Sequence, residues 1–145
     1  MSSLPRPTKI VCVGRNYIAH AAEMGNQVPS EPLLFLKPPS ALLGAGEPIF
    51  MPKDVGRVDY EGEIGVRLGR RASRVSEENA WDYVAGLVPL NDVTARDLQK
   101  KDSQWSRAKG FDTFCPMGDL IPMASVNLEA LQVVTRVNGQ ERQRG

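Results

Sequence analysis

Val58-Asp59-Tyr60-Glu61-Gly62-Glu63-Ile64-Gly65-Val66-Arg67-Leu68 alternates: Val58, Tyr60, Ile64, Val66 and Leu68 fall on one parity, and Asp59, Glu61, Glu63 and Arg67 on the other. Strict alternation predicts one half-buried β-strand. Residues two apart on a strand project to the same side, so Glu61 and Glu63 stand together. Two carboxylates that close repel each other unless solvent or a cation lies between them. Taken alone, the stretch reads as the solvated face of an edge strand. With one more carboxylate it reads as part of an oxygen-only cation site.

Upstream, Lys9-Ile10-Val11-Cys12-Val13-Gly14 is a β-branched run ending in glycine, which predicts a buried strand. Arg15-Asn16-Tyr17 is its polar exit. Residues 18–24 predict a short helix stopped by Gly25, on which His20 and Glu23 share a face. His20 is the only histidine, and beside a glutamate it reads first as half of a surface pair. Leu33-Leu34-Phe35-Leu36 predicts a strand stopped by Lys37-Pro38-Pro39. Pro48-Ile49-Phe50-Met51 reads as a short extended piece between turns.

Downstream, Ser76-Glu77-Glu78 predicts the capped start of a helix running to about Tyr83. Residues 84–90 predict a buried strand, in which Pro89 asks for an edge or a bulge. That strand ends in Asn91-Asp92. Thr94, with Asp97 three residues on, predicts a capped helix. Asp92 therefore stands at a strand end just before a helix N-terminus, where site residues often collect. On that helix Arg96 and Gln99 share a face, and the plain reading of Arg96 is a surface salt bridge. Lys109, beside Gly110, falls in a predicted loop entering a strand. Val133 to Val137 followed by Asn138-Gly139 predicts a strand running into a tight hairpin turn, with little returning strand.

Composition limits the function classes. With 145 residues, 41% hydrophobic and 24% charged, the chain has room for one domain with a real core. Lys+Arg 18 against Asp+Glu 17 gives a net charge of +1, which removes the electrostatic argument for nucleic acid or an anionic membrane surface. Cys12 and Cys115 lack metal-ligand spacing and read as reduced thiols of a cytoplasmic protein. The first seven residues lack the apolar core of a signal peptide, and no apolar run approaches membrane-spanning length.

Five segments in order carry a resemblance: Arg15-Asn16-Tyr17 with His20 and Glu23; Phe35-Leu36-Lys37-Pro38; Glu61-Gly62-Glu63; Asp92-Val93-Thr94-Ala95-Arg96-Asp97-Leu98-Gln99; and Ala108-Lys109-Gly110-Phe111-Asp112. Together they resemble the fumarylacetoacetate hydrolase family, and most closely its short acylpyruvate hydrolase and oxaloacetate decarboxylase branch. The resemblance implies an α+β, mostly β fold, a mixed β-roll of the family's C-terminal-domain type. Residues 1–8 would be an N-terminal extension and residues 9–145 the catalytic domain. Family members are longer and carry a later Thr-Gly-Thr-Pro loop, so the domain is expected to be incomplete here and to continue past Gly145.

The resemblance further implies a divalent cation, Mg2+ or Mn2+ with Ca2+ as a third choice, held by Glu61, Glu63 and Asp92. Three carboxylates without nitrogen or sulfur ligands agree with a hard cation. It assigns substrate contacts to Arg15, Arg96, Gln99 and Lys109, with Lys109 also catalytic. It assigns water activation to His20, oriented by Glu23, on a mobile lid. The implied activity is hydrolysis of a C–C bond in an acylpyruvate or related diketo acid through a metal-stabilised enolate. Alternatives are an oxaloacetate decarboxylase or tautomerase and a 2-hydroxyhepta-2,4-diene-1,7-dioate isomerase. From a different class comes a non-catalytic metal- or oxoacid-binding protein. The implied partners are a small oxoacid or diketo acid and a second copy in a homodimer, with no nucleic acid and no membrane.

Overall fold

The computed structural model describes residues 6–16 and 30–145. The predicted helix over 18–24, with His20 and Glu23, lies outside the described residues. What is described is mostly β, in the order β1 (Ile10–Gly14), β2 (Leu33–Lys37), β3 (Leu42–Gly44), β4 (Val58–Asp59), β5 (Gly62–Leu68), β6 (Val84–Asn91), β7 (Thr94–Ala95), α1 (Arg96–Lys101), α2 (Ser106–Lys109), β8 (Cys115–Met117), β9 (Ile121–Pro122), β10 (Val134–Val137) and β11 (Gln140–Arg144). The main sheet runs β3-β8-β6-β5, with β9 also on β6. Its β3–β8 pair is parallel and its other pairs are antiparallel, so the sheet is mixed. Three two-stranded ladders accompany it: β1–β2, β4–β7 and β10–β11. Among the described residues no helix is long and apolar enough to cross a membrane.

The opening stretch is two strands rather than one. Val58–Asp59 pairs with Thr94–Ala95, whereas Gly62–Leu68 pairs with β6. The chain changes partner at Tyr60-Glu61, and side-chain bonding takes over there: the Glu61 amide donates to Asn91 Oδ1 at 2.9 Å. The Glu61 carbonyl accepts from the Asp92 amide, also at 2.9 Å. The two parities are also occupied the other way round. Val66 and Leu68 are 56% and 55% exposed, while Glu61 and Glu63 are half-buried. Alternation separates two sides of a strand but does not say which one the rest of the chain covers. β5 is an edge strand, and the cations described below sit on its acidic side.

Other elements follow or depart from expectation for local reasons. β1 forms where expected, yet Val11 and Val13 are exposed rather than buried. Residues 48–51 form no strand. Residues 77–83 form a 3₁₀ helix, and Ser76 supplies no side-chain cap to its backbone; its Oγ accepts from Asn79 instead. Pro89 sits inside β6, between its β5 and β8 neighbours, not on an edge. Its side of the strand meets only short partners, at Gly86 and Leu87 and again at Leu90, so no ladder bond needs the missing N–H. The hairpin turn forms as predicted, with Asn138 and Gly139 both at positive φ (52° and 78°), but its returning strand β11 has five residues. The core gathers Val55, Val93, Ala95 and Phe114, with Val58, Leu98 and Phe111 packed against them. It anchors the base of β7 and α1, directly after Asp92.

Candidate metal centre

Register brings the acids together. Gly62 pairs with Asn91 across β5 and β6, which sets Glu61 and Glu63 on either side of the point where Asp92 leaves the sheet. Ligand oxygens of Glu61, Glu63 and Asp92 lie within 4.8 Å of one another. Gly62 allows a close approach: a Cβ there would run into Thr135 Oγ1 on β10. Gln143 on β11 completes this backing, its Oε1 3.3 Å from the Gly62 amide.

Cations surround two of the three acids. The Lys109 ammonium, at the end of α2 and buried, donates to Glu61 Oε2 (3.1 Å), Thr94 Oγ1 (2.8 Å) and Asp92 Oδ2. The predicted loop at Lys109 is thus a short helix, ended by Gly110, that holds the ammonium on the acids. Lys37 donates to the other Asp92 oxygen, Oδ1, at 2.6 Å. Arg96 is buried, and its guanidinium reaches Glu61 Oε1 at 2.6 Å, Asp59 Oδ2 at 2.9 Å and Gln99 Oε1 at 2.9 Å. The surface salt bridge expected of Arg96 is therefore a buried network, and its Gln99 contact is the shared helix face read from the spacing. Arg15 is exposed at the end of β1 with φ 57°; among the described residues nothing bonds it to the acids.

Three participants escaped the sequence reading. Thr94 does not cap α1, whose N-cap is Ala95 with no side-chain bond. Its hydroxyl lies 3.2 Å from Glu61 Oε1 and 2.9 Å from the Asp92 carbonyl oxygen, and accepts from Lys109. A threonine drawn into a site and one that caps a helix look alike in sequence. Lys37 looked like a strand stop, and no sequence signal marks a lysine as buried. Asp59 became visible only once Arg96 was placed.

The charges shape proton affinities. Burial pushes the Glu61 carboxyl up, but the Lys109 and Arg96 charges and hydrogen bonds outweigh it and hold it below the usual range. Asp59 behaves alike, with Arg57 and Arg96 overcoming its burial. Glu63 goes the other way: burial, then the Asp92 and Glu61 charges, raise it from 4.5 to about 7. Among the described residues no hydrogen bond or ion pair holds the Glu63 carboxylate. Burial also raises the thiols of Cys12 to about 12 and Cys115 to about 11, so both stay protonated at neutral pH. The donor set is then three carboxylates, one of them destabilised in its charged form. That set fits a hard divalent cation, which would relieve Glu63 directly.

Comparison with known proteins agrees with this fold. The family model "Fumarylacetoacetate (FAA) hydrolase C-terminal" matches residues 9–145. An uncharacterized protein of Methanocaldococcus jannaschii is 47% identical over 139 residues, 96% of this chain and 58% of that protein. Oxaloacetate tautomerase YisK of Bacillus subtilis is 44% identical, over 98% of this chain and 49% of its own length. The crystal structure of 5-carboxymethyl-2-hydroxymuconate delta-isomerase from Mycobacterium smegmatis superposes with a TM-score of 0.85 at 44% identity, covering 97% of this chain and 55% of that one. The chain thus spans about half the length of the relatives it matches. With the family model covering nearly all of it, the chain belongs to the fumarylacetoacetate hydrolase family.

Proposed function

We propose that the chain forms the cation-holding part of an enzyme that interconverts the keto and enol forms of a small 2-oxoacid. The observation that carries this reading is the cluster of Glu61, Glu63 and Asp92, with the Lys109 ammonium against two of them. Mg2+ or Mn2+ held by these three carboxylates would supply Lewis acidity toward the oxygens of an oxoacid.

The chain's own residues do the rest. Lys37 and Arg96 fix Asp92 and Glu61, so their carboxylates do not reorganise when charge moves nearby. Lys109 offers a positive charge to the substrate carboxylate or to the C2 oxygen, where negative charge develops as a proton leaves C3. His20, oriented by Glu23, takes that proton, and the imidazolium then returns one to the C2 oxygen, so atoms balance without water. Gln99 holds Arg96, and Arg15 meets the outer end of the substrate.

The relatives' names support this choice, since oxaloacetate tautomerase is the name of the B. subtilis protein and of a Caenorhabditis elegans relative at 41% identity. The second reading is hydrolysis of an acylpyruvate C–C bond, which uses the same carboxylates and has His20 activate water instead. It is favoured by the presence of both His20 and Glu23, three residues apart in the sequence. Following the ultraviolet absorbance of enolic oxaloacetate with Mg2+ or Mn2+, beside an acylpyruvate cleavage assay, tests both. Faster keto–enol exchange lost in Glu63→Gln is expected. Unchanged exchange in that variant would sink the proposal.

A further inference from the structure

Lys37 fixes Asp92 in the reaction scheme, but that role alone does not account for its charge. It is the last residue of β2, its side chain is 0% exposed, and among the described residues Asp92 Oδ1 is its one ion-pair partner. Its backbone is fixed from both sides. Ile10 pairs with it on β1, and Pro38 and Pro39 follow it into a 3₁₀ turn. Pro38 also lies 3.1 Å from where a Cβ on Gly110 would stand, next to Lys109. A buried ammonium is costly unless compensated. Here the compensation is one carboxylate whose other oxygen Lys109 already neutralises. For holding Asp92 alone, Lys37 is one cation more than the geometry needs.

We propose that Lys37 is a positioning residue that also sets the charge of the centre, making the cation-loaded site net positive and selective for an anionic substrate. The inference rests on the metal reading above. Four carboxylates, Asp59, Glu61, Glu63 and Asp92, meet three buried cations, Lys37, Lys109 and Arg96. Arg57 on Asp59 is exposed and screened by solvent. Among the described residues, and with Glu63 ionised as a bound cation would make it, the cluster carries one negative charge in excess. A divalent cation turns this into one positive charge, which a carboxylate-bearing ligand neutralises. Without Lys37 the loaded site would be neutral, and the attraction for an anion would go. The same ammonium, hydrogen-bonded to Asp92, opposes cation binding. Lys37 thus gives up some metal affinity in exchange for anion affinity.

That trade gives the test a sign pattern that a purely structural role lacks. Mn2+ affinity is measured by calorimetry on the metal-stripped protein, and oxalate affinity at saturating Mn2+, for wild type, Lys37→Met and Lys37→Gln. Gln keeps a donor toward Asp92 without the charge, and serves if the methionine variant unfolds; thermal melts report folding. In the variants, Mn2+ is expected to bind about tenfold tighter or more and oxalate about tenfold weaker or more, the scale of one charge removed at short range. If both affinities fall together, Lys37 only supports the fold, and the inference is overturned. If neither moves, its charge is not felt at the site, and the inference is again overturned. Failure of the wild type to take up Mn2+ would instead bring down the metal reading itself, and the inference with it.

Discussion

Replacing Glu63 with glutamine should stabilise the metal-stripped protein and weaken its response to metal. The Glu63 carboxyl is raised from 4.5 to about 7, first by burial and then by Asp92 and Glu61. Its folded value lies above its unfolded one, so the native state binds the proton more tightly. The resulting stability is complete below about pH 4.5 and is lost as pH rises through about 7. At about 1.4 kcal/mol for each tenfold change in proton affinity, the loss by pH 8 is about 3 kcal/mol. Glutamine has the shape of the protonated acid and escapes that loss. Wild type and variant should match near pH 4.5, and the variant should lead by about 3 kcal/mol at pH 8. Glu61 and Asp59 do not blur this window. Their values are lowered, so their stabilisation is lost only as pH falls below the usual carboxylate range. Urea denaturation in EDTA at pH 5, 6.5 and 8 reads the difference. Mn2+ should then reverse the order, since a ligand at a thousand times its Kd adds about 4.1 kcal/mol to the form that binds it. A variant no more stable than wild type at pH 8 in EDTA would mean that Glu63 is not held protonated by its surroundings. One that gains as much from Mn2+ as wild type does would mean that Glu63 does not hold the cation.

Three further outcomes are expected. Asp92→Asn leaves two buried lysines facing a neutral amide and should cost about 3–5 kcal/mol, read by denaturant titration; wild-type stability would mean that Lys37 and Lys109 are solvated otherwise. Gly62→Ala collides with Thr135 Oγ1 and should cost about 1–3 kcal/mol. Adding Thr135→Ala should recover much of that in a double-mutant cycle, whereas strictly additive losses would place the strain elsewhere. His20→Ala should leave Mn2+ affinity near wild type while slowing keto–enol exchange on the order of a hundredfold; an unchanged rate would remove His20 from the mechanism.

The strand positions were legible because local pattern fixes them. β1, β2, β6 and the Asn138-Gly139 turn lie close to where β-branched runs and turn residues put them. What the pattern omits is partnership. Alternation continues unbroken through Tyr60-Glu61, although pairing passes there from β7 to β6. It also leaves open which parity is covered, so Val66 and Leu68 on the open side and Glu63 on the covered side ran against expectation. Glu61 and Glu63 were legible as a pair from strand geometry alone, and Asp92 as their partner only through the family resemblance. The cations were the hardest to place. Lys37 and Arg96 are buried because acids lie opposite them 55 and 35–37 residues away in the chain, and no local rule carries that information.

The central claim is that Glu61, Glu63 and Asp92 hold one divalent cation. Diffraction from crystals grown with Mn2+, recorded at the manganese absorption edge, tests it most directly. A single anomalous peak is expected among these three carboxylates, absent from Glu63→Gln crystals. A wild-type map with no peak there, and Lys109 still bridging Glu61 and Asp92 at saturating Mn2+, would contradict it.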